Sequence, residues 1–210
     1  MKIGIIQASS QKEKNSILEE SVRSAVADKD FEVINFGIFE DDSRSFSYIQ
    51  IALCISLLLE SNAVDFVVTG CSSGQGMMLA CNSLPGVLCG YVENVTDAYL
   101  FGRINDGNAV SYPLGSGFGW AAEINLTAAM RALFQEPMGT GYPREEAERK
   151  KQDTALLKSI HLASKKTIAE VLSLLDRDFV KSALQYKVVY DYIMKYGTDP
   201  ELKSLMKELQ

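Results

Sequence analysis

A three-layer α/β/α sandwich around a five-stranded parallel, Rossmann-like sheet is the fold class that the 210 residues predict. Short segments rich in β-branched residues alternate with segments of helical period through residue 143. The strand segments are apolar almost throughout, so both faces of the sheet need a covering of helices. From residue 144 onward helical period stands alone, which predicts a helical extension on the sheet domain.

Strands are expected at 2–7, 32–36, 65–69, 87–92 and 108–112, each bounded by turn-forming residues. Between them the first helix gathers Leu18, Val22, Ala25 and Val26 on one face. A broader stripe of Tyr48, Ile51, Ala52, Ile55, Leu58 and Leu59 marks the second. The third begins in the glycine-rich loop at 72–76, the fourth covers 96–104 and the fifth 119–134. Residues 137–143 hold two prolines and two glycines, and they separate a domain of 1–143 from an extension of 144–210. The extension repeats Leu157, Ile160, Ile168, Val171, Leu172 and Leu175 at helical spacing. Such apolar faces need covering, and we expect them to dock on a partner subunit.

Charge and composition narrow the function. The formal net charge is -6, so the chain has no basic footprint for nucleic acid. Residues 1–142 hold 8 basic and 16 acidic side chains, residues 143–210 hold 13 and 11, so the two parts present different surfaces. Nothing approaches the roughly 18 apolar residues of a membrane span. Cys54, Cys71, Cys81 and Cys89 lack metal-site or redox spacing, and reduced thiols in the cytoplasm are expected. With His161 the only histidine, a zinc site or a Ser-His-Asp triad lacks material, and neither metal nor cofactor is expected.

The stretch from Asp65 to Met78 carries the chemistry: a buried strand runs through Gly70-Cys71-Ser72-Ser73-Gly74-Gln75-Gly76 into a helix. Small residues let backbone N–H groups approach a ligand, and the first helical turn adds unpaired donors. A cysteine at the mouth of such a loop is placed to act as base or nucleophile. On the residues alone this is a site for a small anionic ligand. A nucleotide site would need a lysine within 71–78 or an acid about 20 positions on to grip a ribose, and the segment 88–92 has no acid before Glu93. Cys54, Cys81 and Cys89 are expected as packing residues, and His161 as a surface or interface side chain.

The run from Cys71 to Met77, then Ala80-Cys81-Asn82-Ser83 and Pro85-Gly86-Val87, resembles the signature C-G-[ST]-G-x-G-[MI]-x-x-A-A-N-K-x-x-G-[IV] of the type B ribose 5-phosphate isomerase and galactose 6-phosphate isomerase family. Asn105-Asp106-Gly107-Asn108-Ala109-Val110 is similar to that family's N-D-A-N-V-L segment. The resemblance extends over about residues 1–135 and implies an aldose-ketose isomerase. Cys71 is then the proton-shuttling base, with Ser73 beside it. Ser72, Gly74, Gln75 and Gly76 cradle an enediolate, Asn105 touches sugar hydroxyls, and Ser9 in the loop after the first strand is expected to bind the substrate too. The family also implies a homodimer or homotetramer with sites completed by a neighbour, acting on a sugar or sugar phosphate.

The chain departs from the pattern at one end of the expected site. Ala8-Ser9-Ser10-Gln11 stands where the family has D-H-A-G, Ile104 where it often has a ring-opening histidine, and Leu114 to Gly119 contain no phosphate-binding arginine. A retained proton-transfer end with an altered distal end predicts the same reaction on a different sugar. An open-chain keto-uronate such as 4-deoxy-L-threo-5-hexosulose uronate needs neither ring opening nor a phosphate contact, and Arg103 is the expected partner of its carboxylate. A sugar-binding homologue without catalysis is the competing expectation.

Overall fold

The computed structural model describes residues 1–210. Five strands, β1 (Lys2–Ile6), β2 (Glu32–Gly37), β3 (Phe66–Cys71), β4 (Cys89–Tyr91) and β5 (Ala109–Pro113), form one all-parallel sheet in the order β2-β1-β3-β5-β4. All six residues of β3 are buried, as the central strand of a doubly covered sheet requires. Successive side chains alternate between faces: Phe66 and Val68 point to α1 (Asn15–Ala25) and α5 (Ala122–Phe134), whereas Val67 and Cys71 point to α2 (Tyr48–Glu60) and α3 (Gln75–Ser83). The chain leaves β1 toward β2 and returns on the other side as β3. That reversal opens a crevice at the carboxyl ends of β1 and β3, where sheets of this kind bind ligands.

Several element boundaries differ from the expected ones for local reasons. Strand β3 continues to Cys71 because Gly70 and Cys71 still pair with Tyr112 and Pro113. The fourth helix, α4 (Val95–Leu100), ends early and gives way to a π turn at Phe101–Asn105, closed by Asp106 in the left-handed region (φ 49°). Here Gly102 lies so near the carbonyl of Leu133 that an added Cβ would stand 2.8 Å from it. Helix α5 starts at Ala122 because Ala121 takes a positive φ of 62°.

The extension consists of α6 (Ala147–Ser164), α7 (Ile168–Leu174), α8 (Arg177–Leu184), α9 (Lys187–Tyr196) and α10 (Pro200–Leu209). Helices α7 to α10 close on their own chain, where a partner subunit was expected. Val180, Ile193 and Met206 are fully buried in one core with Ile51, Leu53 and Ile55 of α2. Polar clasps hold them: Tyr186 Oη donates to the carbonyl of Phe36, and Gln50 Nε2 donates to Ser182 Oγ at 2.8 Å. Such a second layer is needed because residues 51 to 59 of α2 are all buried, so this helix is apolar all round. Helix α6 behaves differently, since Thr154 is its single buried residue while Leu156, Leu157, Ile160 and Leu162 are exposed. No helix is long and apolar enough to cross a membrane.

Candidate active site

Cys71 ends β3 and is 8% exposed, so it belongs to the core beneath α2 while sitting at the carboxyl end of its strand, where the glycine-rich loop begins. Gly74 is the N-cap of α3 with φ 73°, and a Cβ there would lie 2.8 Å from the ring of Tyr91 and 3.0 Å from the nitrogen of Pro113. Only glycine lets the chain turn so tightly from strand to helix at this spot. Ser111 Oγ pins the turn from below by donating to the carbonyl of Gly74 at 2.7 Å. From the side, the N–H groups of Gly115 and Ser116 donate to the carbonyl of Ser72 at 2.9 and 2.7 Å.

The carbonyls of Ser72 and Gly74 are thus occupied, while the donors of the loop stay free. The N–H groups of Ser72, Ser73, Gly74, Gln75, Gly76 and Met77 find no backbone acceptor in the chain, and the first intrahelical bond is Met78 N–H to the carbonyl of Gly74 at 3.1 Å. Such a run of donors around a thiol is preorganised for an oxygen that gains negative charge. Ser72, Ser73 and Gln75 are exposed there, while Gly74 is buried and Gly76 half-buried beneath the ring of Tyr48.

The loop after β1 forms the opposite wall. Gln11, a residue that the sequence reading overlooked, donates from Nε2 to Ser72 Oγ at 2.8 Å across the crevice. Its place just past the carboxyl end of β1 was the available signal. Ser9, expected as a substrate contact, is engaged locally: its Oγ accepts from the N–H of Phe46 at 2.7 Å and its N–H donates to the carbonyl of Phe46 at 3.2 Å. It therefore ties down the loop after β2.

Asn105 and Arg103 precede β5 and so stand at the other end of the sheet from Cys71. Asn105 lines a cleft of about 440 Å³ along the edge strand β4, with Asn82, Tyr91, Phe101 and Leu157. Asn82 clamps this edge by exchanging two hydrogen bonds with the backbone of Cys89, at 2.8 and 2.9 Å. Asn108 shapes the loop before β4, accepting from Leu88 N–H and donating to the carbonyl of Gly86. Asp106 pairs with Lys158 of α6.

Arg103 corrects an expectation. It is 0% exposed, donates from Nη2 to the carbonyl of Leu133 at 2.8 Å and lies over the Tyr99 ring. Burial holds its pKa below the usual arginine value, and its Nε and Nη1 have no partner. The guanidinium is sealed beneath α5 and cannot meet a carboxylate in the crevice.

The other thiols are buried and unbridged. Burial pushes Cys54 up to about 12, which keeps it an inert thiol. His161, whose pKa is lowered by burial and by Lys165, lies on α6 and lines a separate cleft with Glu60 and Gly86. No group of three or more His, Cys, Asp or Glu side chains is gathered to hold a metal ion.

Residues 6–141 match the family model described as Ribose/Galactose Isomerase. Among solved structures, the chain is similar to a 4-deoxy-L-threo-5-hexosulose-uronate ketol-isomerase complexed with a tartrate, at 37% identity and a TM-score of 0.95, over 100% of this chain and 99% of that one. A ribose-5-phosphate isomerase from Vibrio parahaemolyticus is 36% identical with a TM-score of 0.94, over the same shares. The type B ribose 5-phosphate isomerase of Trypanosoma cruzi, 22% identical over 75% of this chain and 97% of that one, has the same fold at a TM-score of 0.59. None of the curated proteins matches the chain.

Proposed function

The chain belongs to the ribose/galactose isomerase family, and from that premise we propose that it is a ketol isomerase in which Cys71 moves the proton. The observation that carries the reading is the run of six unpaired N–H groups from Ser72 to Met77 beginning at the thiol. An aldose-ketose interconversion removes a proton from the carbon next to a carbonyl, and charge then gathers on the enediolate oxygens. The thiolate of Cys71 takes that proton and returns it to the neighbouring carbon. The loop N–H groups stabilise the enediolate, and Ser73 Oγ stands ready to shuttle a hydroxyl proton. Ser72, whose hydroxyl Gln11 orients, contacts the sugar hydroxyls together with Gln75.

The substrate reading favoured by the residues is an open-chain acidic sugar. Ile104 and the arginine-free segment 114–119 offer neither a ring-opening imidazole nor a guanidinium for phosphate. The two relatives above at 36% and 37% identity are sugar isomerases, and one of them is a keto-uronate ketol-isomerase. Asn105 reaches a sugar only in an assembly, because it stands at the far end of its own sheet. The exposed apolar face of α6 runs beside its cleft through Leu157, which supports a homodimer in which each copy completes the other's site.

Deuterium incorporation from heavy water, followed by proton NMR on a panel of open-chain keto-uronates and sugar phosphates, tests the reading. Exchange by the wild type is expected to fall by about 10² to 10⁴ in Cys71→Ala. Equal exchange in both proteins would remove Cys71 as the base, and no exchange in either would favour a sugar-binding protein without turnover.

A further inference from the structure

With the loop N–H groups given to the enediolate, an acidic group elsewhere on the substrate is best met by a cation, and the loops at the carboxyl ends of the strands contain three: Lys12 and Lys14 after β1 and Arg44 after β2. No such residue follows β3, β4 or β5 before the next helix. Lys12 donates to the carbonyl of Asp42 at 3.2 Å, and Arg44 donates to the carbonyl of Gln185 at 3.0 Å. Lys14 has neither a hydrogen bond nor a carboxylate within ion-pair distance, and its Nζ lies 5.5 Å from the centre of the Phe118 ring.

That ring fixes where the ammonium stands. Phe118 belongs to the segment after β5 whose Gly115 and Ser116 hold the carbonyl of Ser72, and Gln11 of the Lys14 loop holds the Ser72 hydroxyl. Lys14 thus reaches from the β1 loop to the β5 loop, the same two segments that hold Ser72 through Gln11 and through Gly115 and Ser116. We propose that the Lys14 ammonium receives the acidic end of the substrate, and that this end is a carboxylate; the proposal rests on the ketol-isomerase reading above.

A lone ammonium matches a singly charged carboxylate, whereas a phosphate dianion is ordinarily met by a guanidinium fork or several cations. Glu93 lines the adjoining cleft with Phe118 and Ser116, and its charge disfavours a dianion more than a monoanion. The contact of Lys14 with the Phe118 face is weaker than a charge-assisted hydrogen bond, so an arriving carboxylate displaces it.

Calorimetric titration of the full chain with tartrate, a dicarboxylate, and with inorganic phosphate tests the assignment without any turnover. Lys14→Gln is expected to weaken tartrate binding about tenfold or more, and Lys14→Arg to restore most of it. With an acidic substrate found in the exchange panel, Lys14→Gln is expected to raise KM by a similar factor while kcat stays within about twofold, since the contact is shared by ground and transition states. Unchanged tartrate affinity in Lys14→Gln, or no tartrate binding by the wild type, overturns the proposal. Phosphate binding more tightly than tartrate and lost in Lys14→Gln overturns the choice of carboxylate. Because binding is read directly, these outcomes are separate from a failure of Cys71 as base.

Discussion

Gly74 and Arg103 are the residues whose side-chain space decides most. A methyl at Gly74 would meet both Tyr91 and Pro113 at a backbone φ of 73°, so Gly74→Ala is expected to cost about 1–3 kcal/mol and to lower turnover with it. Urea unfolding together with the exchange assay measures both. Arg103 is a strut under α5, and Arg103→Met keeps its volume while removing a buried charge with two unpaired nitrogens. Stability within about 1 kcal/mol of wild type is expected, against a loss of about 2–4 kcal/mol for Arg103→Ala, and KM unchanged in the methionine variant. The glycine was legible in the sequence because small residues between strand and helix have few other uses. The arginine was not, because a charged side chain reads as exposed until its burial is seen.

Helix α2 is the element on which the second layer depends, and its two ends differ. Ser47 and Gln50 form a reciprocal capping box at its start, and Ser47→Ala is expected to cost about 1 kcal/mol in thermal or urea unfolding. At its end, burial first and the nearby charge of Asp199 second raise the pKa of Glu60 above its ordinary value. A carboxyl raised in the folded state contributes stability while protonated and loses it as pH climbs from the unfolded value through the folded one. Glu60→Gln is therefore expected to unfold at a higher temperature than wild type at pH 7, with the gap closing below pH 4. A gap independent of pH would assign the effect to packing. The capping box and stripe of α2 are periodic, local features that sequence carries. The π turn before β5 is not local, because it answers to the approach of Gly102 to α5.

At the scale of the whole molecule, α7 to α10 and α6 have opposite fates. Removing residues 165–210 would strip α2 of its cover, so the shortened chain is expected to be insoluble or to bind a hydrophobic dye strongly. Helix α6 leaves Leu156, Leu157, Ile160 and Leu162 in contact with water. On the proposed homodimer, a double change, Leu157→Glu with Ile160→Glu, is expected to reduce the mass seen by light scattering to that of one chain and to lower turnover by separating Asn105 from the neighbouring copy. Retained mass and activity would leave α6 a solvent face.

Sequence by itself determined the sheet, its parallel sense, the two covering layers and the place of the thiol loop, because each follows from period, β-branching and glycine placement over a few neighbouring residues. Tertiary structure decided the rest. Whether α7 to α10 cover their own core or another's depended on how completely α2 is apolar once folded. Which of Lys12, Lys14, Arg44 and Arg103 kept a free cationic head depended on which of them found a carbonyl elsewhere. Long side chains reach several partners from one backbone position, so their assignment waits on contacts between segments far apart in the chain.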